Sequence, residues 1–342
     1  MKTTTTFAFL VASLMLALCC ASTAHAAPVT FDWATVGNPG NADDIHGGGH
    51  GGVATTYRIS KTEVTNAQYT KFLNAVNATN TNGLYTILTN SDTRGGITRS
   101  GSFGSHTYAV KPDSVGNGPG GTDYTYGDKP VVYVSFLDAM RFTNWLENGQ
   151  PTGAQDASTT EAGVYTIGSG LDEVRNPSAT YFIPSEDEWY KAAYYDPNSG
   201  GGVYYDYPTS TDSVPNNNLP SSDTGNSANF FDGGLTTGNS SYPMTDVGAY
   251  TASESPYGTF DQGGNVFEWN EAVTLSSFRV LRGDSWNDSF SGYLAASLRL
   301  LGNPTFEDNR VGFRVASIPE PSTMLLGALA TVGVLMRRRR AY

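Results

Sequence analysis

The sequence has little sulfur, and its charge is sparse and predominantly acidic. Its two cysteines, Cys19 and Cys20, are adjacent near the start, so no later thiol is available for a disulfide, a nucleophile or a soft-metal site. Only 15% of the residues are charged, with 32 Asp and Glu against 20 Lys and Arg. The formal net charge of −12 argues against nucleic acids as partners and is compatible with cation binding.

Histidine is also scarce, with four residues in the chain. His46 and His50 have the spacing of metal ligands on a helix, but the glycines around them predict a surface loop. An iron site made from these two histidines and a carboxylate, such as Asp43 or Asp44, is an alternative that the residues leave open.

No apolar run reaches the roughly 20 residues that a membrane-spanning helix requires. The first run covers residues 7–20, follows Lys2 and ends at Ala24-His25-Ala26, which predicts a secretory signal peptide over residues 1–26. An N-terminal membrane anchor or a lipoprotein leader fits less well, because the run is short and Leu18 precedes Cys19. The mature chain is therefore expected to be exported across the inner membrane.

The second apolar run, residues 323–336, follows Pro319-Glu320-Pro321 and precedes four arginines at 337–340. This arrangement resembles the PEP-CTERM sorting signal of bacteria that make extracellular polysaccharide. The resemblance implies cutting by an exosortase-type enzyme, transient association of the tail with the inner membrane, and a final position on the surface or in the matrix of a Gram-negative-type cell. A permanent C-terminal anchor is the alternative. We therefore divide the chain into residues 1–26, 27–317 and 318–342.

The central domain is rich in glycine and tyrosine, with 39 and 20 residues, and short of long periodic segments. Three helices are nonetheless predicted from their N-terminal caps: one over residues 65–78, one from Ser135 to before Gly149, and one from Ser185 to before Pro197. Short strands and turns follow from residue 230. This order indicates an α+β fold with a single core.

The most informative stretch is FDQGGNVFEW, residues 260–269. It combines two carboxylates, Asp261 and Glu268, with glycines that let the chain curl, which is the mixture of oxygen ligands that calcium prefers. The apolar residues on either side of Glu268 fit equally well with an ordinary turn that leads into a core strand.

This stretch also contains GNVFEW, which is similar to the G-N-[VA]-W-E-W signature of the formylglycine-generating, or sulfatase-modifying factor, family. Other landmarks of that family occur in the same order. They are KTEVTNAQY at 61–69, PVVYVS at 130–135, IPSEDEW at 183–189, RGDSW at 282–286 and GFR at 312–314. The resemblance covers residues 31–316 and implies the sulfatase-modifying version of the C-type-lectin-like fold, with little regular secondary structure.

The family's oxidase activity depends on two copper-binding cysteines that follow the motif matched here by RGDSW. Aligned on that motif, their positions fall near Asp288 and Tyr293, and neither side chain can replace a thiolate on Cu(I). Copper is therefore not expected, and we predict that the protein does not make formylglycine. A Gly-Asp-Ser hydrolase around Ser285 is disfavoured, because no histidine follows residue 106 to act as its base.

The resemblance also implies structural calcium at two places. The first site maps to the side chains of Asp261 and Glu268 and the carbonyls of Gly264 and Val266. The second, with an asparagine where the family has a carboxylate, maps to the side chains of Asn229 and Asn239 and the carbonyls of Phe230 and Ser241.

Two functions remain open from the sequence. The first is an exported binding or structural module that faces extracellular polysaccharide, which the tyrosine pairs at 194–195 and 204–205 suit through stacking on sugars. The second is an enzyme of the wider family that uses a histidine and carboxylate metal centre. Fold alone does not decide between them.

Overall fold

A computed structural model of the chain describes residues 27–46, 48–288 and 291–319. The predicted signal peptide and all but the first two residues of the predicted tail lie outside these ranges. The described part has a mixed α and β architecture with few helices, in agreement with the predicted fold class. The longest helix has 12 residues, and no helix in the described ranges is long and apolar enough to span a bilayer.

The helices and strands are short. The helices are α1 (Asn66–Val76), α2 (Leu88–Ser91), α3 (Phe136–Glu147) and α4 (Glu186–Tyr194). The strands are β1 (Trp33–Val36), β2 (Tyr57–Ser60), β3 (Ile97–Ser100), β4 (Thr107–Val110), β5 (Tyr181–Phe182), β6 (Tyr195–Asp196), β7 (Val203–Tyr204), β8 (Phe267–Thr274), β9 (Phe278–Arg282), β10 (Leu300–Gly302), β11 (Val311–Gly312) and β12 (Ala316–Ser317).

The strands form two four-stranded sheets and two hairpins. The first sheet has the order β1-β2-β12-β5 and the second has the order β10-β9-β8-β11, with β8 and β11 parallel and the other neighbours antiparallel. The pairs β3-β4 and β6-β7 are separate hairpins. The chain therefore passes from the second sheet to the first between β11 and β12, only three residues apart.

The three predicted helices are present, and their ends follow the predicted signals. Thr65, Ser135 and Ser185 each cap a helix through a capping box, in which the side chain at the third helical position returns a bond to the cap. The helices end at Val76, Glu147 and Tyr194, two or three residues before the predicted limits, because their last turns close on non-helical capping residues.

The core is rich in aromatic rings and combines buried residues of α1, α3 and both four-stranded sheets. Phe142 of α3 is central to it: its ring centroid is 5.3 Å from that of Phe72 on α1 and 5.4 Å from that of Phe313, which precedes β12. Edge-to-face contacts of this kind allow large aromatic rings to pack closely in a protein interior. The segment before β12 is thus packed against α3, which in turn packs against α1.

The stretch between β7 and β8 contains one short 3-10 turn, Pro220–Ser222, and otherwise consists of loops over some 60 residues. Its backbone is stabilised by turns and by side chains such as Asn216, Asn217 and Asn226, whose amides bond to main-chain carbonyls. The predicted shortage of regular secondary structure is most pronounced here.

Candidate functional site

The loop before β8 is curled by residues in the left-handed backbone region. Asp261, Gly264 and Asn265 have φ of 59°, 88° and 60°. Gly264 passes directly over the backbone of Asn229, where an added Cβ would lie 2.4 Å from the carbonyl oxygen, so only glycine fits. The Asn265 amide donates to the same carbonyl at 2.7 Å, which fastens the long loop to the start of β8.

Glu268 of β8 and Arg314 form a fully buried ion pair at the centre of this region. The Nε of Arg314 donates to Oε2 of Glu268 at 2.5 Å and its Nη2 donates to Oε1 at 2.6 Å, with both side chains 0% exposed. The indole Nε1 of Trp189, on α4, donates to Oε2 at 2.8 Å. Both oxygens of Glu268 are therefore engaged by protein donors.

The remaining donors of Arg314 hold main-chain carbonyls. Its Nη1 donates to the carbonyls of Ser60 and Lys61 at 3.1 and 3.2 Å, and its Nη2 donates to that of Phe260 at 2.9 Å. All five guanidinium N–H groups are thus satisfied. Because Ser60 ends β2 of the first sheet and Glu268 lies in β8 of the second, this one side chain connects both sheets and the loop between them.

Two further buried carboxyl groups adjoin the ion pair, Glu63 and Asp261. Oδ2 of Asp261 accepts from the amide of Gly248 at 2.5 Å, and Oε1 of Glu63 accepts from the Asn265 side chain at 3.3 Å, while Oε2 of Glu63 has no hydrogen-bond partner. Burial, together with the neighbouring carboxylates, raises the pKa of Glu63 well above its ordinary value and that of Asp261 to about 6. We call Glu63, Asp261, Glu268 and Arg314 the buried charge cluster.

The structure brings the side chains of the first predicted calcium site into this cluster. Asp261 and Glu268 are close enough for each other's charge to matter, and the carbonyls of Gly264 and Val266 belong to the loop that joins them. Asp261 suits a hard cation, but Glu268 as placed is the partner of Arg314. Within the described ranges, no three His, Cys, Asp or Glu side chains are grouped as a metal site.

The residues of the second predicted site lie in one loop but have other partners. The Asn229 side chain donates to Asn265 and to the carbonyl of Pro243, and its Oδ1 is buried without a partner. The Phe230 carbonyl accepts from Thr236 and Asn217. The Asn239 side chain accepts from the amide of Ser241 at 3.0 Å, which closes a tight local turn.

The RGDSW segment places Asp284 and Ser285 inside the protein, both 0% exposed. Burial raises the pKa of Asp284 to about 8. The hydroxyl of Ser285 is buried and unpaired, which does not suit a hydrolase nucleophile. Of the two positions aligned with the family's cysteines, Tyr293 packs against Phe267, and Asp288 lies within electrostatic reach of Asp284.

The histidines of the alternative iron site are in a loop, as predicted, and they do not converge. His46 is exposed, whereas Nδ1 of His50 is 3.1 Å from Asp187 and its Nε2 is 3.3 Å from the guanidinium of Arg299. Asp44 accepts instead from the Tyr190 hydroxyl at 2.7 Å.

Two members of the charge cluster, Glu63 and Arg314, lie in the motifs KTEVTNAQY and GFR, and the sequence motifs alone assign them no role. A signal for them exists. Arg314 stands between Phe313 and Val315 in an apolar segment, and a guanidinium buried in such a segment requires a carboxylate partner. The sequence alone does not say which carboxylate, since Glu268 is 46 positions away.

A family model for the sulfatase-modifying factor enzyme 1-like domain matches residues 39–318, and the chain belongs to this family. The PEP-CTERM protein-sorting motif matches residues 317–340. That motif indicates an exported, cell-surface-sorted bacterial protein and implies recognition by an exosortase-type sorting system.

Among known proteins, the chain is similar to hercynine oxygenase of Mycolicibacterium smegmatis, with 24% identity over 284 residues. The match covers 76% of this chain and 53% of the oxygenase, so the chain spans about half the length of that relative. Similar solved structures include CarF (TM-score 0.48, 20% identity, covering 85% of this chain and 99% of that one) and Treponema denticola variable protein 1 (0.49, 20%, 84% and 95%). PvdO from Pseudomonas aeruginosa is also similar, with a TM-score of 0.43 and 15% identity over 84% of this chain and 92% of PvdO.

The ion pair predicts a large cost for replacing Arg314 alone. In Arg314→Met the Glu268 carboxylate stays buried without its partner, and the free energy of unfolding should fall by about 3 to 5 kcal/mol. Arg310→Met is the control, because its pair with Asp308 is partly exposed and should contribute less than about 1 kcal/mol. Equal losses in urea unfolding of the two variants would contradict this assignment.

The raised pKa values predict that stability decreases with pH. The native state holds protons on Glu63 and Asp261 at pH values where the unfolded chain has released them, so stability is full below about pH 4 and falls as pH rises through 6. For Asp261, the rise from 3.8 to about 6 corresponds to on the order of 3 kcal/mol.

Glu63→Gln should therefore flatten the decrease in unfolding free energy between pH 4 and pH 8, measured by urea unfolding in EDTA. The exposed Glu254→Gln variant should keep the wild-type slope. A Glu63→Gln slope as steep as the wild type's would show that Glu63 takes no part.

Proposed function

We propose that this protein is a surface-sorted binding module of the extracellular matrix, built on a sulfatase-modifying factor domain that does not oxidise cysteine. The proposal is supported by the resemblance, which implies that the copper-binding cysteines of the family's oxidases fall near Asp288 and Tyr293, where this chain has no thiol. The chain's own cysteines, Cys19 and Cys20, lie in the predicted signal peptide. Residues 27–342 contain no cysteine that could bind copper as a thiolate.

The proposal includes three finer points. The fold is the sulfatase-modifying version of the C-type-lectin-like fold, which the low content of regular secondary structure supports. The location is the matrix of a Gram-negative-type bacterium, reached after transient association of residues 318–342 with the inner membrane. The partner is extracellular polysaccharide, which suits a domain that has few lysine and arginine residues and many tyrosines.

The mature protein should not convert a cysteine-containing sulfatase peptide to formylglycine. Incubation with the peptide, copper and oxygen should leave the peptide mass unchanged and yield no hydrazide-reactive aldehyde. A cysteine-bearing formylglycine-generating enzyme, assayed in parallel, provides the positive control. Turnover above the protein-free reaction would refute the proposal.

Calcium binding is part of the proposal, with Asp261, Gly264, Val266 and Glu268 as one site and Asn229, Phe230, Asn239 and Ser241 as another. A calcium ion at the first site would compete with Arg314 for Glu268 and with protons for Asp261. Its main effect would be to fasten the loop around Gly264 to β8. Calcium would then stabilise the protein more above pH 6 than below it.

The melting temperature should therefore be a few degrees higher in calcium than in EDTA at pH 8, and nearly equal in the two at pH 5. Asp261→Asn should abolish the difference at pH 8. Asp232→Asn, an exposed substitution in the neighbouring loop, should preserve it. Identical melting temperatures at pH 8 would rule out structural calcium.

The second candidate is a histidine-dependent metal enzyme, favoured by the similarity to a protein named as an oxygenase. The set predicted for such a centre, His46 and His50 with Asp43 or Asp44, does not converge, and His50 contacts Asp187 and Glu186 instead. Metal analysis of the purified protein distinguishes the two candidates. One bound iron per chain that is lost in the His50→Ala variant supports the enzyme, and a protein without bound iron supports the binding module.

A further inference from the structure

An open cleft of about 650 Å³ lies on the face formed by the loop at residues 41–46 and the β6-β7 hairpin. Its lining contains no residue of the buried charge cluster or of RGDSW. Its lining includes three tyrosines and three aspartates, namely Tyr195, Tyr204, Tyr205, Asp43, Asp44 and Asp212. We call it the tyrosine cleft.

The two walls of the cleft are braced against each other. The hydroxyl of Tyr204, in β7, donates to the carbonyl of Ala42 at 2.9 Å and accepts from the Asn41 side chain at 2.6 Å. Asp44 is buried and accepts from the Tyr190 hydroxyl and from the amide of His46. The cleft is therefore shaped before any ligand arrives, which lowers the entropy lost on binding.

The hairpin wall depends on a glycine. Gly202 has φ of 102°, and a Cβ there would lie 2.0 Å from the Tyr195 hydroxyl oxygen. The chain thus passes tightly against the Tyr195 ring, whose centroid is 4.9 Å from that of Tyr204. This close approach fixes two of the rings relative to each other.

The chemistry of the lining restricts the ligand. The half-buried rings of Tyr204 and Tyr205 offer apolar faces for the C–H surfaces of a sugar, while the buried Tyr195 supports Tyr204 from behind. Carboxylates accept hydrogen bonds from the sugar's hydroxyl groups. Among the described residues, no lysine or arginine lines the cleft, and its aspartates repel anions. Its volume falls in the range of small-ligand sites and exceeds what a single small cation fills.

We infer that the tyrosine cleft binds an uncharged glycan segment. This inference rests on the proposed function, for which it supplies the binding site and the class of ligand. Uronic-acid polymers are not the favoured ligand under this inference, because their carboxylates would be repelled by the aspartates of the cleft.

The test is isothermal titration of the mature protein with three sets of oligosaccharides: neutral hexasaccharides of glucose, galactose and mannose, oligogalacturonate, and chitosan oligosaccharide. At least one neutral hexasaccharide should bind, and oligogalacturonate should bind at least tenfold more weakly. Preference for the galacturonate or for the cationic chitosan oligosaccharide would overturn the inference, as would no binding in any of the three sets.

The variants locate the site. Tyr205→Ala should weaken binding of the neutral ligand about tenfold, and Tyr205→Phe, which keeps the ring, should bind nearly as well as wild type. Tyr242→Ala is the control, because this half-buried tyrosine packs on Tyr124 outside the cleft. All three variants should melt within a few degrees of wild type.

The two proposals fail in different ways. Neutral-glycan binding that Tyr205→Ala leaves unchanged would refute the tyrosine cleft while the binding module stands. Turnover of the cysteine peptide would refute the binding module whatever the glycan data show.

Discussion

The structure depends on one buried ion pair, that between Arg314 and Glu268. The two sheets share no strand, and the chain passes between them over the three residues that include Arg314. The guanidinium holds Glu268 of the second sheet, the end of β2 in the first, and the loop at Phe260, while Trp189 adds helix α4 through the same carboxylate. A domain with so little regular secondary structure needs such a connection, because few ladder hydrogen bonds link its parts.

The surroundings of the pair are acidic, which gives the cluster its sensitivity to protons and cations. Three buried carboxyl groups face one guanidinium, and burial beside one another raises the pKa of Glu63 and of Asp261, so that protons compete with cations for both groups. A calcium ion would also offset the excess negative charge of the cluster. Protons bind the carboxyl groups at low pH, whereas calcium would bind them at high pH. The proposed calcium binding is therefore supported by one structural observation: Oε2 of Glu63 is buried without a hydrogen-bond partner and lies near Asp261.

Much of the local structure could be predicted from the sequence. Capping boxes and apolar periodicity locate the three main helices because these signals act within a few residues. The partners within the cluster could not be predicted from periodicity or spacing, since Glu63, Glu268 and Arg314 are separated by up to 251 positions and meet only through tertiary folding. The tyrosine pairs indicate a sugar-facing surface, but the cleft itself requires the loop at residues 41–46, for which the sequence predicts only a position at the surface.

The central claim is that Arg314 and Glu268 stabilise the domain as a pair rather than separately. A double-mutant cycle with Arg314→Met and Glu268→Gln measures this coupling directly by urea unfolding at pH 7. The account predicts that the double variant is more stable than the sum of the single losses implies, by about 2 to 3 kcal/mol, because neither side chain is then left as an isolated buried charge. Additive losses would contradict it.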